Sequence, residues 1–494
     1  MKLKDLLKDI DFTSDKKIEE INKIEIEDIC YDSKIAGENM MFTALLGETT
    51  DGHNYIKNAY EKGSRVFLIS REVDLPVDAV KILVKNTRKV LSHISSNLYN
   101  HPSKELKIIG ITGTKGKTTT SNYIRAIFEA AGYKTGIIGT NGVFYGDVQL
   151  ETVNTTPESY EIQKILRAMI EEDVKFVVME VSSGGLKMNR VDDIEIDLGL
   201  FTNISKDHIG PKEHPDFEDY MHSKAKLFKL AKHAIINIDD KHSTYMIDNA
   251  TCGITTISSE VDSDFRAKDI ELSGNIKTLG SSFTCVSEDG AIDYKISSPG
   301  MFSIYNALLS IAAARHFKIE HSTIKDVLKD VNVSGRVEIL PLLDYASIVL
   351  DFAHNEVSLK NIVDTLNHYN PKRLICLIGS VGNRSILRRK ELGDVAASEC
   401  DVCILTSDNP DFEDPMKIIN EMSESFSDSD CILIKEADRK QAIIRGINML
   451  EEDDILLLSG KGHENYQIIE GEKVYFSDKE TAEEAAKDLL NRKV

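Results

Sequence analysis

The stretch "GTKGKTT", Gly113 to Thr119, puts two glycines, two lysines and three threonines into seven residues. Glycines let backbone N–H groups turn toward an anion, a lysine adds a cation, and a hydroxyl directly after it can hold Mg2+. Gly113, Thr114, Lys115, Gly116, Lys117, Thr118 and Thr119 are therefore candidates for holding phosphate groups, as in ATP. The strict G-x-x-x-x-G-K-[ST] pattern is not met, because Ile111 stands at its first glycine. Three further residues could do chemistry beside a phosphate: Glu180 in "VVMEVSSGGL", His208 in "FTNISKDHIG" and Lys224 in "YMHSKAKLF". Singly each has a plain structural reading, as a strand-end carboxylate, a surface histidine and a lysine on an amphipathic helix. Far along the chain, "TSDNPDFEDP" (Thr406 to Pro415) brackets Asp408, Asp411, Glu413 and Asp414 with prolines, which on its own reads as a solvated acidic turn.

The elements around these residues decide between the readings. "KIIGIT" is an apolar strand, and "TTTSNYIRAIFEAAG" has apolar residues at helical spacing and stops at Gly132, so the glycine-rich turn lies in the strand–loop–helix order that phosphate binding requires. Strands are predicted at "MMFTALL" and "RVFLIS" in the first hundred residues, then at "KFVVMEV", "DLGLFTNI" and "HAIINID" with helical stretches between them. That alternation predicts a mainly parallel sheet. It restarts after "SGRVEIL" with "SIVLDFAH", "RLICLIGS", "DVCILTS" and "DILLLSG", which puts "TSDNPDFEDP" at the C-terminal end of a strand, where open α/β sheets bind ligands.

At 494 residues the chain is too long for one core. The fold expected is α/β in three domains: a small N-terminal α/β domain (1–103), a central P-loop parallel-sheet domain (104–334) and a C-terminal Rossmann-like domain (335–494). The balance of 60 basic to 81 acidic residues disfavours nucleic-acid and anionic-membrane partners, whose charge the long-range field repels. The charged N-terminus "MKLKDLLKDIDF" and the lack of long apolar runs point to the cytoplasm; small-molecule substrates and a monomeric state are expected as well. Seven scattered cysteines do not form a disulfide framework, and Cys400 with Cys403 is a lone C-x-x-C inside a predicted strand.

The motifs "GITGTKGKTTT", "NTTPE", "EVSS", "FTNIS-x-DH", "YNAL", "GR-x-E", "D-x-AHN", "SDNP" and "GKGHE", with the Lys224 helix, come in an order that resembles the Mur ligase family from end to end. The nearest resemblance is to its branch that adds the third amino acid to UDP-N-acetylmuramoyl-dipeptide, and within that branch to the lysine-adding members. The resemblance implies that ATP phosphorylates a substrate carboxylate and that an amine then attacks the acyl phosphate. It implies Lys117 at the β and γ phosphates, Thr118 on one Mg2+, Glu180 and His208 on a second, and Lys224 carbamylated by CO2 as an anionic ligand. Asn306 would meet the adenine, with Arg336 and Asp351 at the phosphate and ribose side.

For the uridine muramoyl dipeptide, the resemblance implies Ser33, Asn154, Thr155, Thr156, Ser182 and Arg190, with Gly184 and Met188 departing from the family's usual His and Gln. For the incoming amino acid it implies Arg389 at the α-carboxylate, with Arg388 as the substitute, and Asp408, Asn409, Pro410, Asp411, Gly460 and Glu464 around it. Asp411 stands where diaminopimelate-adding members carry Arg. A carboxylate there repels a second carboxylate and attracts an ammonium, so L-lysine or L-ornithine is expected over diaminopimelate. Glu413 and Asp414 are expected to be merely solvated. Two rivals are a folylpolyglutamate-synthase-like ligase, against which the N-terminal "YDSK" and "DGHNYI" speak, and a P-loop switch, which leaves the third domain unexplained.

Overall fold

The computed structural model describes residues 1–47, 50–206, 209–210, 213–272, 279–383 and 386–492. Contacts divide the chain into two compact units, 1–265 with 309–320 and 266–308 with 321–494. His208 lies outside the described residues.

The first unit opens with a four-stranded parallel sheet, Asp28–Cys30, Met40–Thr43, Val66–Ile69 and Val80–Leu83 in chain order. A larger sheet follows in the order Gly253–Ser258, Ala231–Asn237, Ile196–Phe201, Lys107–Thr112, Phe176–Glu180 and Thr135–Gly139, all parallel. The antiparallel strands Gly142–Tyr145 and Val148–Leu150 extend its far side. Phe176–Glu180 and Ile196–Phe201 are buried at every position, which is why they read as unbroken apolar runs: helices cover both faces of such a sheet. Helix Lys117–Ala130 packs Ile124, Ile127 and Phe128 into the core, and Gly132 ends it at φ +87°. The small sheet's domain is tied to the larger one by Tyr160, whose hydroxyl donates to Asp28 Oδ1 at 2.8 Å, and by Arg88, which grips Glu158 at 3.0 and 3.1 Å.

The second unit has a meander in which Ser281–Ser287 pairs antiparallel with Gly290–Ile296 and with Phe265–Glu271. Its main sheet runs Glu338–Leu340, Ser347–Asp351, Ile455–Ser459, Leu374–Ile378, Val402–Leu405 and Ile432–Lys435, parallel except for the first strand. The four expected strands are present. The strands Glu338–Leu340 and Ile432–Lys435 and the hairpin Tyr466–Ile469 with Glu472–Tyr475 were not anticipated. Cys403 sits on a fully buried strand as expected, and no group of metal-holding side chains occurs among the described residues. No described helix is long and apolar enough to cross a membrane.

Candidate active site

In the first unit the chemistry gathers at the C-terminal ends of three adjacent strands. The turn after Lys107–Thr112 is bound to the neighbouring strand end: Thr114 N–H donates to Asn203 O at 2.9 Å, Lys115 N–H to Asn203 Oδ1 at 3.0 Å, and Thr202 Oγ1 to Lys115 O at 2.6 Å. A Cβ on Gly113 would lie 1.8 Å from Thr202 Oγ1, and Gly116 turns into the helix at φ +88°. Both positions therefore require glycine. Lys117 Nζ lies over the turn, donating to Gly113 O at 2.9 Å and Thr114 O at 3.3 Å. This cradle and its cation, at the start of a 14-residue helix, fit a nucleotide's phosphates.

Glu180 ends its strand buried, accepting from Thr118 Oγ1 at 3.1 Å, Thr140 Oγ1 at 2.9 Å and Thr140 N at 3.3 Å. Thr118 and Glu180 thus present adjacent hard oxygens, the donor type that Mg2+ takes together with phosphate oxygens. Lys224 is 1% exposed, with Nζ donating to Gly113 O at 2.9 Å and 4.5 Å from the centre of the Tyr220 ring. Thr119 is half-buried on the first turn of the helix. The sequence reading named nothing in "FTNIS" before its histidine. Thr202 and Asn203 of that segment are what hold the phosphate turn in shape.

Thr155, Thr156 and Ser182 come together beside Glu180. Thr156 Oγ1 lies 2.9 Å from Glu180 O and 3.1 Å from Ser182 Oγ, the Ser182 N–H donates to Thr156 Oγ1 at 2.9 Å, and Thr155 Oγ1 is 3.1 Å from Thr140 Oγ1. Asn154 is exposed next to them, and Ser33 is buried in the turn after Asp28–Cys30. Arg190 differs from the open carboxylate receptor expected. Its guanidinium pairs with Glu158 at 2.8 Å and donates to Thr156 O at 2.9 Å, so it shapes the threonine segment. Gly184 has nothing within 4 Å of a notional Cβ; sterics do not explain the glycine there.

In the second unit, loops from adjacent parallel strands converge. Asp351 accepts from Val337 N and Ala353 N, both at 2.8 Å, and the Arg336 guanidinium lies 4.5 Å from the centre of the Phe352 ring. His463 packs on the same ring at 5.2 Å, and burial with the nearby Arg336 pushes its pKa down to about 4. Asn306 is buried on the helix Met301–His316. Asp408, Asn409, Gly460 and Glu464 form one cluster, as expected, around a residue the sequence reading passed over. Lys461 is fully buried, donates to Asn409 Oδ1 at 2.9 Å and Glu464 Oε2 at 2.7 Å, and stands 3.7 Å from Asp408 Oδ1. Asp408 Oδ1 makes no hydrogen bond, and burial raises its carboxyl pKa. The backbone here is interlocked: a Cβ on Gly382 would lie 1.9 Å from Pro410 O, and one on Gly379 would lie 2.5 Å from Thr406 O.

Three expectations for the acidic loop change. Arg389 is 1% exposed and held through Nη1 and Nη2 by Glu413 at 2.6 and 2.9 Å and by Glu421 at 2.5 Å, so two carboxylates already pair with it, while its buried Nε has no hydrogen-bond partner. Glu413 is not a solvated acid: Arg389 holds its pKa down at about 2. Asp414 caps helix Pro415–Ser423, accepting from Met416 N at 2.9 Å. Asp411, at φ +55°, bridges to Ile469, and its carboxylate accepts from Gly471 N at 2.9 Å and Asn383 Nδ2 at 3.1 Å. It is partly exposed, and it is also a fastener for the hairpin that follows Glu464.

A phosphate-cradling parallel sheet and a second sheet with convergent polar loops define an α/β nucleotide-dependent ligase architecture, and the comparisons name it. Three family models match in series: "Mur ligase family, catalytic domain" at residues 25–99, "Mur ligase middle domain" at 111–314 and "Mur ligase, glutamate ligase domain" at 335–462. The chain belongs to the Mur ligase family. It is 37% identical to a UDP-N-acetylmuramoyl-L-alanyl-D-glutamate--2,6-diaminopimelate ligase of Clostridium perfringens, over 97% of this chain and 98% of that protein. A protein of the same name from Clostridioides difficile is 36% identical over 98% and 99%. A solved structure of such a ligase superimposes with TM-score 0.72 at 25% identity, covering 99% of each chain. A Mycobacterium tuberculosis folylpolyglutamate synthase, at 16% identity and TM-score 0.61 over 81% of this chain, shares the fold. The two Clostridium-type relatives and the solved ligase structure carry diaminopimelate in their names and so do not single out the expected lysine-adding branch.

Proposed function

We propose that the chain is the cytoplasmic ligase that joins a diamino acid to the D-glutamate of UDP-N-acetylmuramoyl-L-alanyl-D-glutamate in peptidoglycan precursor synthesis. The observation that supports this best is the arrangement of Lys117, Thr118, Glu180 and Lys224 around one phosphate turn, beside the Thr156–Ser182 segment. In this reading a substrate carboxylate oxygen takes the γ-phosphoryl group of ATP, ADP leaves, the acceptor amine attacks the acyl carbon, and phosphate departs with the C–O electron pair. Phosphate is a far better leaving group than carboxylate oxygen, so positioning and charge neutralisation are most of the task. Lys117 neutralises the phosphates from the helix N-terminus, and Thr118 with Glu180 would hold Mg2+, which supplies further positive charge when bound. Lys224 is our candidate for the carbamate, and residues 1–103, 104–334 and 335–494 for the three working domains.

Two acceptors compete. Meso-diaminopimelate has the broader support, because the full-length relatives are named for it. L-Lysine is favoured by one local observation: the acidic loop carries a carboxylate at Asp411, which attracts an ammonium, while the buried Arg389 is already paired with Glu413 and Glu421. Purified enzyme with ATP, Mg2+, the dipeptide nucleotide and diaminopimelate, lysine or ornithine in turn separates them by tripeptide yield and phosphate release. Phosphate release that needs no amine would overturn the ligase reading itself.

A further inference from the structure

Outside the residues assigned so far, one chain of buried polar groups has no task. His214 is 2% exposed, its Nδ1 is 2.7 Å from Asp219 Oδ2, and its Nε2 is 3.0 Å from Ser183 Oγ. Asp219 also takes Lys187 Nζ at 2.8 Å, and the Tyr220 ring meets the imidazole edge to face at 5.1 Å. With Asp219 accepting from Nδ1–H, Nε2 must accept the Ser183 hydroxyl proton. The backbone of His214 closes the loop as well, bridging to Ile209 and accepting from Gly210 N at 2.9 Å. Three elements meet at this imidazole: the 213–216 segment, the turn that follows Glu180, and helix Phe217–Ala225, which carries both Asp219 and Lys224.

We propose that His214, oriented by Asp219, is a positioning residue for the dipeptide-nucleotide substrate: it pins Ser183 and so sets the adjacent Ser182 and its partner Thr156 in place. The lever is short. Ser183 follows Ser182 directly, and Ser182 is hydrogen-bonded to Thr156 through both its N–H and its hydroxyl. Without the Ser183–His214 bond the turn loses its anchor to the 213–216 segment. The phosphate turn keeps its own ties to Thr202 and Asn203. Loss should therefore appear on one substrate and not the other. This inference rests on the proposed function above.

The test is steady-state kinetics of the full chain carrying Ser183→Ala, Ser183→Thr or His214→Ala, with ADP binding measured by calorimetry to report folding. Expected for Ser183→Ala and His214→Ala is a KM for the dipeptide nucleotide raised about tenfold, as for one lost hydrogen bond, with KM for ATP and ADP affinity unchanged. Ser183→Thr, which keeps the hydroxyl, should return KM to within about twofold of wild type. If His214→Ala fails to bind ADP, Ser183→Ala, which leaves the imidazole packed, decides alone. An unchanged dipeptide-nucleotide KM in Ser183→Ala, or an equal rise in both KM values, overturns the inference. A wild-type enzyme that makes no tripeptide with any diamino acid overturns the proposed function instead.

Discussion

The phosphate turn and the acidic loop are both strand-end segments rich in charge, yet they use it differently. At Gly113 to Thr119 the cation lies over backbone carbonyls: Lys117 and Lys224 both donate to Gly113 O. A phosphate offers the Lys117 ammonium a stronger acceptor than a carbonyl, so this lysine is set to exchange partners. At Asp408 to Asp414 the charges are largely consumed in place: Glu413 and Glu421 pair with Arg389, Asp414 caps a helix, and Asp411 fastens a hairpin. Under the proposed function the first region keeps its charge for a ligand, whereas the second uses most of it on its own shape. Motif reading works for the first because backbone geometry dictates the residue types; it misjudges the second because a charge gives no sign of which partner it has.

Lys117→Ala is the strongest challenge to the first half of that contrast: kcat for tripeptide formation should fall by on the order of a thousandfold, with little change in melting temperature. A large stability loss would make Lys117 structural. Arg389→Met challenges the second half. Leaving Glu413 and Glu421 with Lys417 as their remaining cation should cost about 2 kcal/mol in denaturant unfolding, as for a lost charged hydrogen-bonded pair, and a stable variant impaired only in acceptor KM would restore Arg389 as a substrate ligand. Acid should weaken the second unit in two stages. The folded-state pKa of His463 is lowered from 6.5 to about 4, so the unfolded chain binds its proton first and stability declines as pH falls through that window. Glu413, lowered from 4.5 to about 2, stabilises above 4.5 and its contribution fades as pH falls toward 2. In urea titrations across this range, His463→Gln should flatten the upper stage and leave the lower one.

Asp411→Arg should shift kcat/KM about tenfold from lysine toward diaminopimelate, the scale of one charge contact. No shift would mean that Asp411 is a fastener alone. The smallest effect belongs to Asp414→Ala, about 1 kcal/mol of stability with acceptor kinetics unchanged, as for an N-cap.

Much of this was legible in the sequence. The apolar runs announced the buried parallel strands, and the strand–loop–helix order around "GTKGK" announced the phosphate turn, because period and glycine placement are local properties. Arg190, Arg389 and Glu413 make pairings that the sequence does not display, and Lys461 was passed over. Arg190 meets Glu158 32 residues away, Arg389 meets Glu413 24 residues away, and Lys461 reaches Asn409 across 52 residues as well as the nearby Glu464. Local pattern carries no information about such pairings. The strands Glu338–Leu340 and Ile432–Lys435 escaped because one is three residues long and the other is largely exposed, so neither shows a core-like run.

The interlock of Gly379 and Gly382 with the Thr406 to Pro410 backbone bears on how such an enzyme could evolve. A side chain at either glycine would displace the neighbouring loop, so these walls, which under the proposed function would line the acceptor pocket, are fixed as main chain. A lineage that changes its cell-wall diamino acid is then confined to changing what projects from those walls, at positions such as 383 and 411. Single substitutions there, and not loop insertions, are the accessible route from one wall chemistry to another.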